Sequence, residues 1–244
     1  MRFALAQPHI TAALCICTGA LFSSASATAG DFGGSIGATS DYVYRGISQT
    51  GGEPALQADL HYQDRSGWAV GAWASAADPN EEEAPGLEVD VYASRNWTIS
   101  RNWDARLSLT HYFYARDTRP LRYDYDEVVA TLGYQSRVFA TVAWSPNASR
   151  YSNGIIVKHQ AATSYELTVT QPLVGRLSAA AGAGYYDLPA QLDADYWFWN
   201  AGVACSIGQA QFALSYIDTD EAAARAFGYG VAGDRWVGSL AWTF

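Results

Sequence analysis

From about residue 30 onward, apolar residues recur at every second position in short runs. Turn residues interrupt them at intervals of about 8–12 positions, the rhythm of all-β barrels and sandwiches. In the last run Trp236, Gly238, Leu240, Trp242 and Phe244 share one face, and Arg235, Val237, Ser239, Ala241 and Thr243 the other. Over residues 87–97, Leu87, Val89, Val91, Ala93 and Trp97 alternate with Glu88, Asp90, Tyr92, Ser94 and Asn96, and only Arg95 breaks phase. Beyond Ser100-Arg101-Asn102, Trp103, Ala105, Leu107, Leu109 and Phe113 oppose Asp104, Arg106, Ser108, Thr110, Tyr112 and Tyr114, which predicts a tight hairpin. The pattern predicts about twelve strands, starting near residues 31, 55, 67, 86, 103, 123, 138, 158, 177, 193, 210 and 234.

The connections alternate in length. Short ones fall at 64–67, 100–102, 136–137, 174–176 and 208–209; longer polar ones fall at 46–54, 77–85, 117–122, 145–155, 187–193 and 218–233. Brief turns at one end and long loops at the other characterise transmembrane barrels, and an even strand count places both termini on the periplasmic side.

Composition narrows the choice. The 244 residues are 49% hydrophobic and 14% aromatic but only 16% charged, against roughly 25% charged in ordinary globular chains. So many aromatics among so few charges exclude disorder, and after residue 29 no apolar run reaches the roughly 18 residues of a spanning helix. Residues 1–29 read as a secretory signal removed on export, with Arg2, an apolar stretch from Ile10 to Phe22, and Ala27-Thr28-Ala29 as the cleavage site. That leaves 30–244 as a single barrel domain. Only Cys205 of the 3 cysteines then remains, so no internal disulfide is expected. Losing Arg2 leaves 14 of 15 basic residues against 24 acidic ones, a net charge of −10, which argues against nucleic acid as a partner.

Period alone does not say which face meets water. In a soluble sheet the apolar side points inward; in an outer-membrane barrel the arrangement is inverted. Export, the alternating loop lengths, and aromatics near strand ends (Tyr42, Trp68, Trp97, Trp103, Trp144, Trp197, Trp236 and Phe244) favour inversion. The polar face is rich in Gly, Ala, Ser and Thr, suited to a wet or hydrogen-bonded interior. In hydrocarbon an unpaired backbone group costs several kcal/mol, so the sheet must close. A barrel of about twelve strands lies between filled 8-stranded barrels and wide porins, so a narrow pore and a plugged lumen are both open readings.

The stretch Thr39-Ser40-Asp41-Tyr42-Val43-Tyr44-Arg45-Gly46-Ile47-Ser48-Gln49-Thr50, followed by Pro54-Ala55-Leu56-Gln57, resembles the opening motif of the TorF-type porin family of proteobacteria. The similarity continues through 67–75 and Glu88-Val89-Asp90-Val91-Tyr92, about the first third of the exported chain. The resemblance implies an outer-membrane β-barrel acting as a porin, with Trp236, Trp242 and Phe244 in the membrane belt and the terminal aromatic as the insertion signal.

Strand parity places Asp41, Asp59, His61, Glu88, Asp90, Glu127 and Glu166 on the inward face with Arg45, Arg106 and Arg116, as candidate pore-lining residues. Asp41 and Arg45 fall on one phase of the first strand, either as a salt bridge fixing strand and loop or as charges across a constriction; Gly46 lets the strand leave into its loop. Six acids against three bases predict a mildly anionic lumen favouring cations or neutral solutes. No catalytic residues, metal site or cofactor are expected: His61, His111 and His159 lack a serine two positions away on their own strand face, and Asp78, Glu81, Glu82 and Glu83 lack a calcium-loop spacing. The sequence thus predicts an all-β, closed antiparallel transmembrane β-barrel, an up-and-down meander passing small solutes by diffusion. Its expected partners are outer-membrane lipid, lipopolysaccharide and the barrel-insertion machinery. A plugged barrel with a ligand- or surface-binding role is the alternative, and a lipid-modifying hydrolase the third.

Overall fold

A computed structural model describes residues 30–77, 86–115, 123–152, 155–188 and 195–244, with the backbone alone over 149–159. The expected signal segment, the acidic loop carrying Asp78 and Glu81 to Glu83, Arg116 and the His159 side chain lie outside the described residues. The chain runs β1 (Asp31–Thr39), β2 (Val43–Tyr44), β3 (Ile47–Ser48), β4 (Ala55–Gln63), β5 (Trp68–Ala77), β6 (Gly86–Thr98) and β7 (Trp103–Ala115). It continues through β8 (Tyr125–Tyr134), β9 (Val138–Ser152), β10 (Ile155–Pro172), β11 (Leu177–Asp187), β12 (Tyr196–Ile207), β13 (Ala210–Thr219), α1 (Glu221–Phe227) and β14 (Arg235–Thr243).

Among the described residues all strands but β2 and β3 close one antiparallel barrel of 12, each beside its neighbour in sequence. The seam joins β1 to β14, from Ser35 opposite Thr243 to Thr39 opposite Ser239. Phe244 extends it, its backbone N–H and C=O both bonded to Gly34 at 3.0 Å. The strands begin within 3 residues of the positions that the alternation predicts. Interstrand spacing of about 4.8 Å and a tilt of about 40° give twelve strands a backbone radius of about 12 Å, leaving a bore about 6 Å in radius once side chains are allowed for.

The inversion is as expected. Leu56 is 76% exposed on the outer face while Ser164 and Ser215 are wholly buried inside. Leu60, Val91, Leu109, Leu167 and Leu214 join Leu56 on the exposed wall, a surface that only hydrocarbon can cover without cost. Aromatic girdles bound it. Trp103 packs on Tyr134 at 4.8 Å near the periplasmic turns, and Tyr185 on Trp197 and Tyr216 on Trp236 at 5.1 and 5.4 Å near the opposite rim. Trp236, Trp242 and Phe244 are all exposed on this wall. Arg95, which broke the alternation, lies 5.2 and 5.4 Å from the Trp68 and Trp97 rings, so its charge sits in the inner girdle rather than in the hydrocarbon. The 64–67 turn is closed by Asp64, whose carboxylate accepts from Ser66 Oγ and from the Ser66 and Trp68 amides; these bonds hold its carboxyl below the ordinary range.

Three expectations are corrected. The first strand stops at Thr39, so Asp41 and Arg45 are not on it. Residues 145–155 are not mainly loop, because β9 and β10 run on to Ser152 and from Ile155. The 218–233 stretch contains α1, too short and alanine-rich to show a helical period; Asp220 caps it, accepting from the Ala222 and Ala223 amides.

Candidate functional site

The site is built from the motif that follows β1. Val43 pairs with Ser48 and Tyr44 with Ile47, making a two-residue hairpin whose tip is Arg45-Gly46. Both tip residues have positive φ, 48° and 81°, as the turn that matches strand twist requires. Glycine adopts this freely; for Arg45 it costs roughly 1–2 kcal/mol, so the side chain must be held. A Cβ at Gly46 would press on Thr219 Cγ2 and Phe198 Cβ, which shows how closely the tip meets the opposite wall.

The hairpin therefore folds into the barrel instead of leaving it. Arg45 is 0% exposed. Its Nη2 lies 2.8 Å from Glu127 Oε1 on β8, close as an ion pair though not aligned as a hydrogen bond, and its Nε donates to Glu166 Oε1 on β10 at 3.4 Å. The guanidinium is stacked between Tyr44 and Tyr186, 4.6 and 4.7 Å from their ring centres. Tyr196 Oη donates to the Arg45 carbonyl at 3.1 Å. Glu127 Oε2 in turn accepts from Tyr44 and Tyr112 at 3.3 and 3.2 Å. A buried charge pair is tolerated only when its remaining lone pairs are also met, and two tyrosines do that for Glu127.

Asp41 stands at the base of the hairpin. It accepts from Ser48 Oγ and Thr50 Oγ1 at 2.6 and 2.9 Å and pairs with Arg235 of β14 at 2.8 Å. On the far side, the Ser48 amide donates to the Val231 carbonyl at 2.8 Å and Ile47 bridges to Ala232. Ala223 and Ala224 of α1 pack with Ile47, Tyr196 and Phe198 in one buried cluster, and Val43 packs with Ile217 and Val237 in another. Hairpin and helix together fill the loop-bearing half of the lumen.

Below the hairpin a chamber of about 1010 Å³ remains, reaching from Tyr42 and Tyr44 down to the turn residues Arg65, Arg101 and Gln135. On its wall His61 Nδ1 lies 2.6 Å from Asp59 Oδ1, Tyr92 Oη donates to Asp59 Oδ2 at 2.8 Å, and Arg106 Nη2 donates to Ser94 Oγ at 3.2 Å. Asp90 reaches the same chamber, while Glu88, 1% exposed, accepts from Tyr42 Oη at 3.0 Å. Outside, His111 Nδ1 lies 2.8 Å from Asp126 Oδ1 on the lipid-facing wall. Among the described residues neither His61 nor His111 is hydrogen-bonded to a serine or threonine.

Every described residue in the expected lumen set thus faces inward: Asp41, Arg45, Asp59, His61, Glu88, Asp90, Arg106, Glu127 and Glu166. Two expectations change. Asp41 and Arg45 do not pair with each other, because the turn at the tip carries Arg45 across the bore to β8 and β10. Tyr42 is not a membrane-boundary residue but packs on Trp73 at 5.3 Å inside the lumen. Sequence reading missed Arg235, Tyr44, Tyr186 and Tyr196. One signal was present: alternating Val-Tyr and Ile-Ser around Arg-Gly is a two-residue hairpin pattern.

The barrel is similar to the KdgM porin, with a TM-score of 0.53 and 5% identity, covering 88% of this chain and 99% of that one. A structure described as "KdgM porin in complex with disordered oligogalacturonate" gives the same TM-score of 0.53, 5% identity, and coverage of 88% and 99%. The CymD monoaromatic hydrocarbon channel is similar at a TM-score of 0.48 and 9% identity, covering 88% of each chain. At 5% identity the likeness to the KdgM porin is one of fold alone. No curated protein matches the sequence. The profile of the family described as "Bacterial protein of unknown function (Gcw_chp)" matches residues 23–244, and the chain belongs to that family.

Proposed function

We propose that the protein is an outer-membrane porin through which small solutes diffuse passively, with the β2–β3 hairpin as its gate. The observation that carries this is the polar chamber of about 1010 Å³, bounded by periplasmic turns below and by the hairpin above. A purely structural barrel would fill that volume with side chains. Asp59, His61, Asp90 and Arg106 line the path below the gate, and Asp41, Arg45, Glu88, Glu127 and Glu166 surround the gate itself. Arg45, Arg106 and Arg235 offset half of the six acids, and Arg65 and Arg101 stand beside Asp104 at the periplasmic mouth, so a small excess of negative charge remains and the lumen favours cations or neutral solutes. The opening motif supports the finer placement among TorF-type porins. Export by a cleaved signal over residues 1–29, insertion by the barrel machinery through Phe244, and contact with lipopolysaccharide at the loop-bearing rim complete the reading.

Arg45, wholly buried, also favours a second reading, a permanently plugged barrel whose outer surface binds a ligand. Planar-bilayer recording separates the two. The refolded protein is expected to show infrequent openings, and a variant with 41–49 replaced by Gly and Ser is expected to show stable, weakly cation-selective steps. No steps from either protein would sink the channel, equal stable steps from both would sink the gate, and clear anion selectivity would sink the charge assignment.

A further inference from the structure

Four of the six lumen acids have a cationic or imidazole partner: Asp41 meets Arg235, Glu127 and Glu166 meet Arg45, and Asp59 meets His61. Glu88 and Asp90 form no ion pair among the described residues, yet they are 1% and 6% exposed. They stand two apart on the inward face of β6, buried side by side at the hairpin end of the strand. Tyr42 donates to Glu88 Oε1, and Tyr114 stands opposite Glu88 across the β6–β7 pair. Glu88 Oε2 and Asp90 Oδ1 remain buried with no donor among the described residues.

Two carboxyl groups buried on one strand face, with no ion pair to either, cannot both stay ionised, so the pair keeps a proton. We propose that Glu88 and Asp90 share one proton, and that this protonated pair latches the hairpin gate and releases it as pH rises. The proposal rests on the gated-porin reading. Losing the proton leaves two negative charges in a site that no cation among the described residues reaches. Water must then enter, and Tyr42, which covers Glu88 and packs on Trp73 at 5.3 Å, stands in its way.

Among the described residues the surrounding groups do not compensate. The hairpin brings Tyr42, Tyr44 and Arg45, but Arg45 is already shared by Glu127 and Glu166. Strand β7 brings Tyr112 and Tyr114 and β8 brings Tyr125, all neutral near neutral pH, while Glu127 of β8 and Glu166 of β10 add negative charge. Strand β4 brings Asp59 and His61, which bond to each other and to Tyr92 further down the wall. The proton thus favours the closed gate, and that contribution is lost with rising pH.

The test is maleimide labelling of Val43→Cys in a Cys205→Ser background, normalised to the unfolded chain at each pH, beside bilayer recording of the same protein. Val43 is 2% exposed when the hairpin is seated. Between about pH 5 and about pH 9, where buried carboxyl groups titrate, labelling is expected to rise by up to about tenfold per pH unit, as release of one proton allows. Glu88→Gln with Asp90→Asn keeps the shape without the titration and should flatten the profile. Tyr42→Phe should raise labelling at every pH while keeping the slope. A flat wild-type profile, or an equal rise in the Gln/Asn double variant, overturns the latch. Labelling that follows expectation without conductance at any pH upholds the latch and removes the channel reading instead.

Discussion

Replacing Arg45 by alanine tests the gate most directly. The change removes a guanidinium 2.8 Å from Glu127 and 3.4 Å from Glu166 and empties the space between the Tyr44 and Tyr186 rings. Both carboxylates stay buried, with side chains 1% and 7% exposed, and the alanine inherits the positive φ without any compensating contact. Removing one partner of a buried pair costs about 3–5 kcal/mol, and every 1.4 kcal/mol is about tenfold in an equilibrium. The seated hairpin should therefore lose roughly two to three and a half orders of magnitude against the released one. Bilayer recording should show the open fraction rising to near unity, and labelling of Val43→Cys should approach the unfolded rate. The barrel itself should persist, because no strand pairing involves residue 45. Neutralising all three charges, as Arg45→Met with Glu127→Gln and Glu166→Gln, should restore much of the closure. An unchanged open fraction in Arg45→Ala, or equal opening in the triple variant, would refute the idea that this ion pair holds the gate.

Four smaller predictions follow from the same geometry. Gly46→Val places a branched side chain at a φ of 81° and against Thr219 and Phe198; single-channel recording should show more frequent opening, from strain of about 1–3 kcal/mol. Leu109→Arg on the lipid face should lower folding stability in vesicles by about 2–4 kcal/mol, whereas Gln57→Arg on the chamber wall should shift selectivity toward anions with little loss of stability. Deleting Phe244 removes both 3.0 Å bonds to Gly34, so the heat-modifiable, fully closed fraction should fall in an insertion assay. The Asp64 carboxyl is held low, so the stability it lends the 64–67 turn is full above the ordinary value of 3.8 and lost as pH falls below it. Hydrogen exchange at the Gly67 and Trp68 amides should accelerate in that acid range in wild type but not in Asp64→Asn.

The alternation of apolar and polar residues determined the wall. Trp236, Leu240 and Trp242 face lipid and Ser164, Glu88 and Glu127 face the lumen because successive side chains of a strand point to opposite sides, a rule that holds whatever the strand pairs with. Strand number, turn positions and the inward set of charges follow from that one local property. What parity could not decide was where the chain after Thr39 would go. Asp41 and Arg45 share a phase in an extended strand, but the turn at Arg45-Gly46 sends them to opposite partners, Arg235 on one side and Glu127 with Glu166 on the other. Asp41 and Arg235 are 194 positions apart in sequence and Arg45 and Glu166 are 121 apart, so only barrel closure brings them within reach. Closure also decides that the same twelve strands enclose a plug above and a chamber below: a bore about 6 Å in radius is wide enough to admit a hairpin and too narrow to leave its charges unpaired.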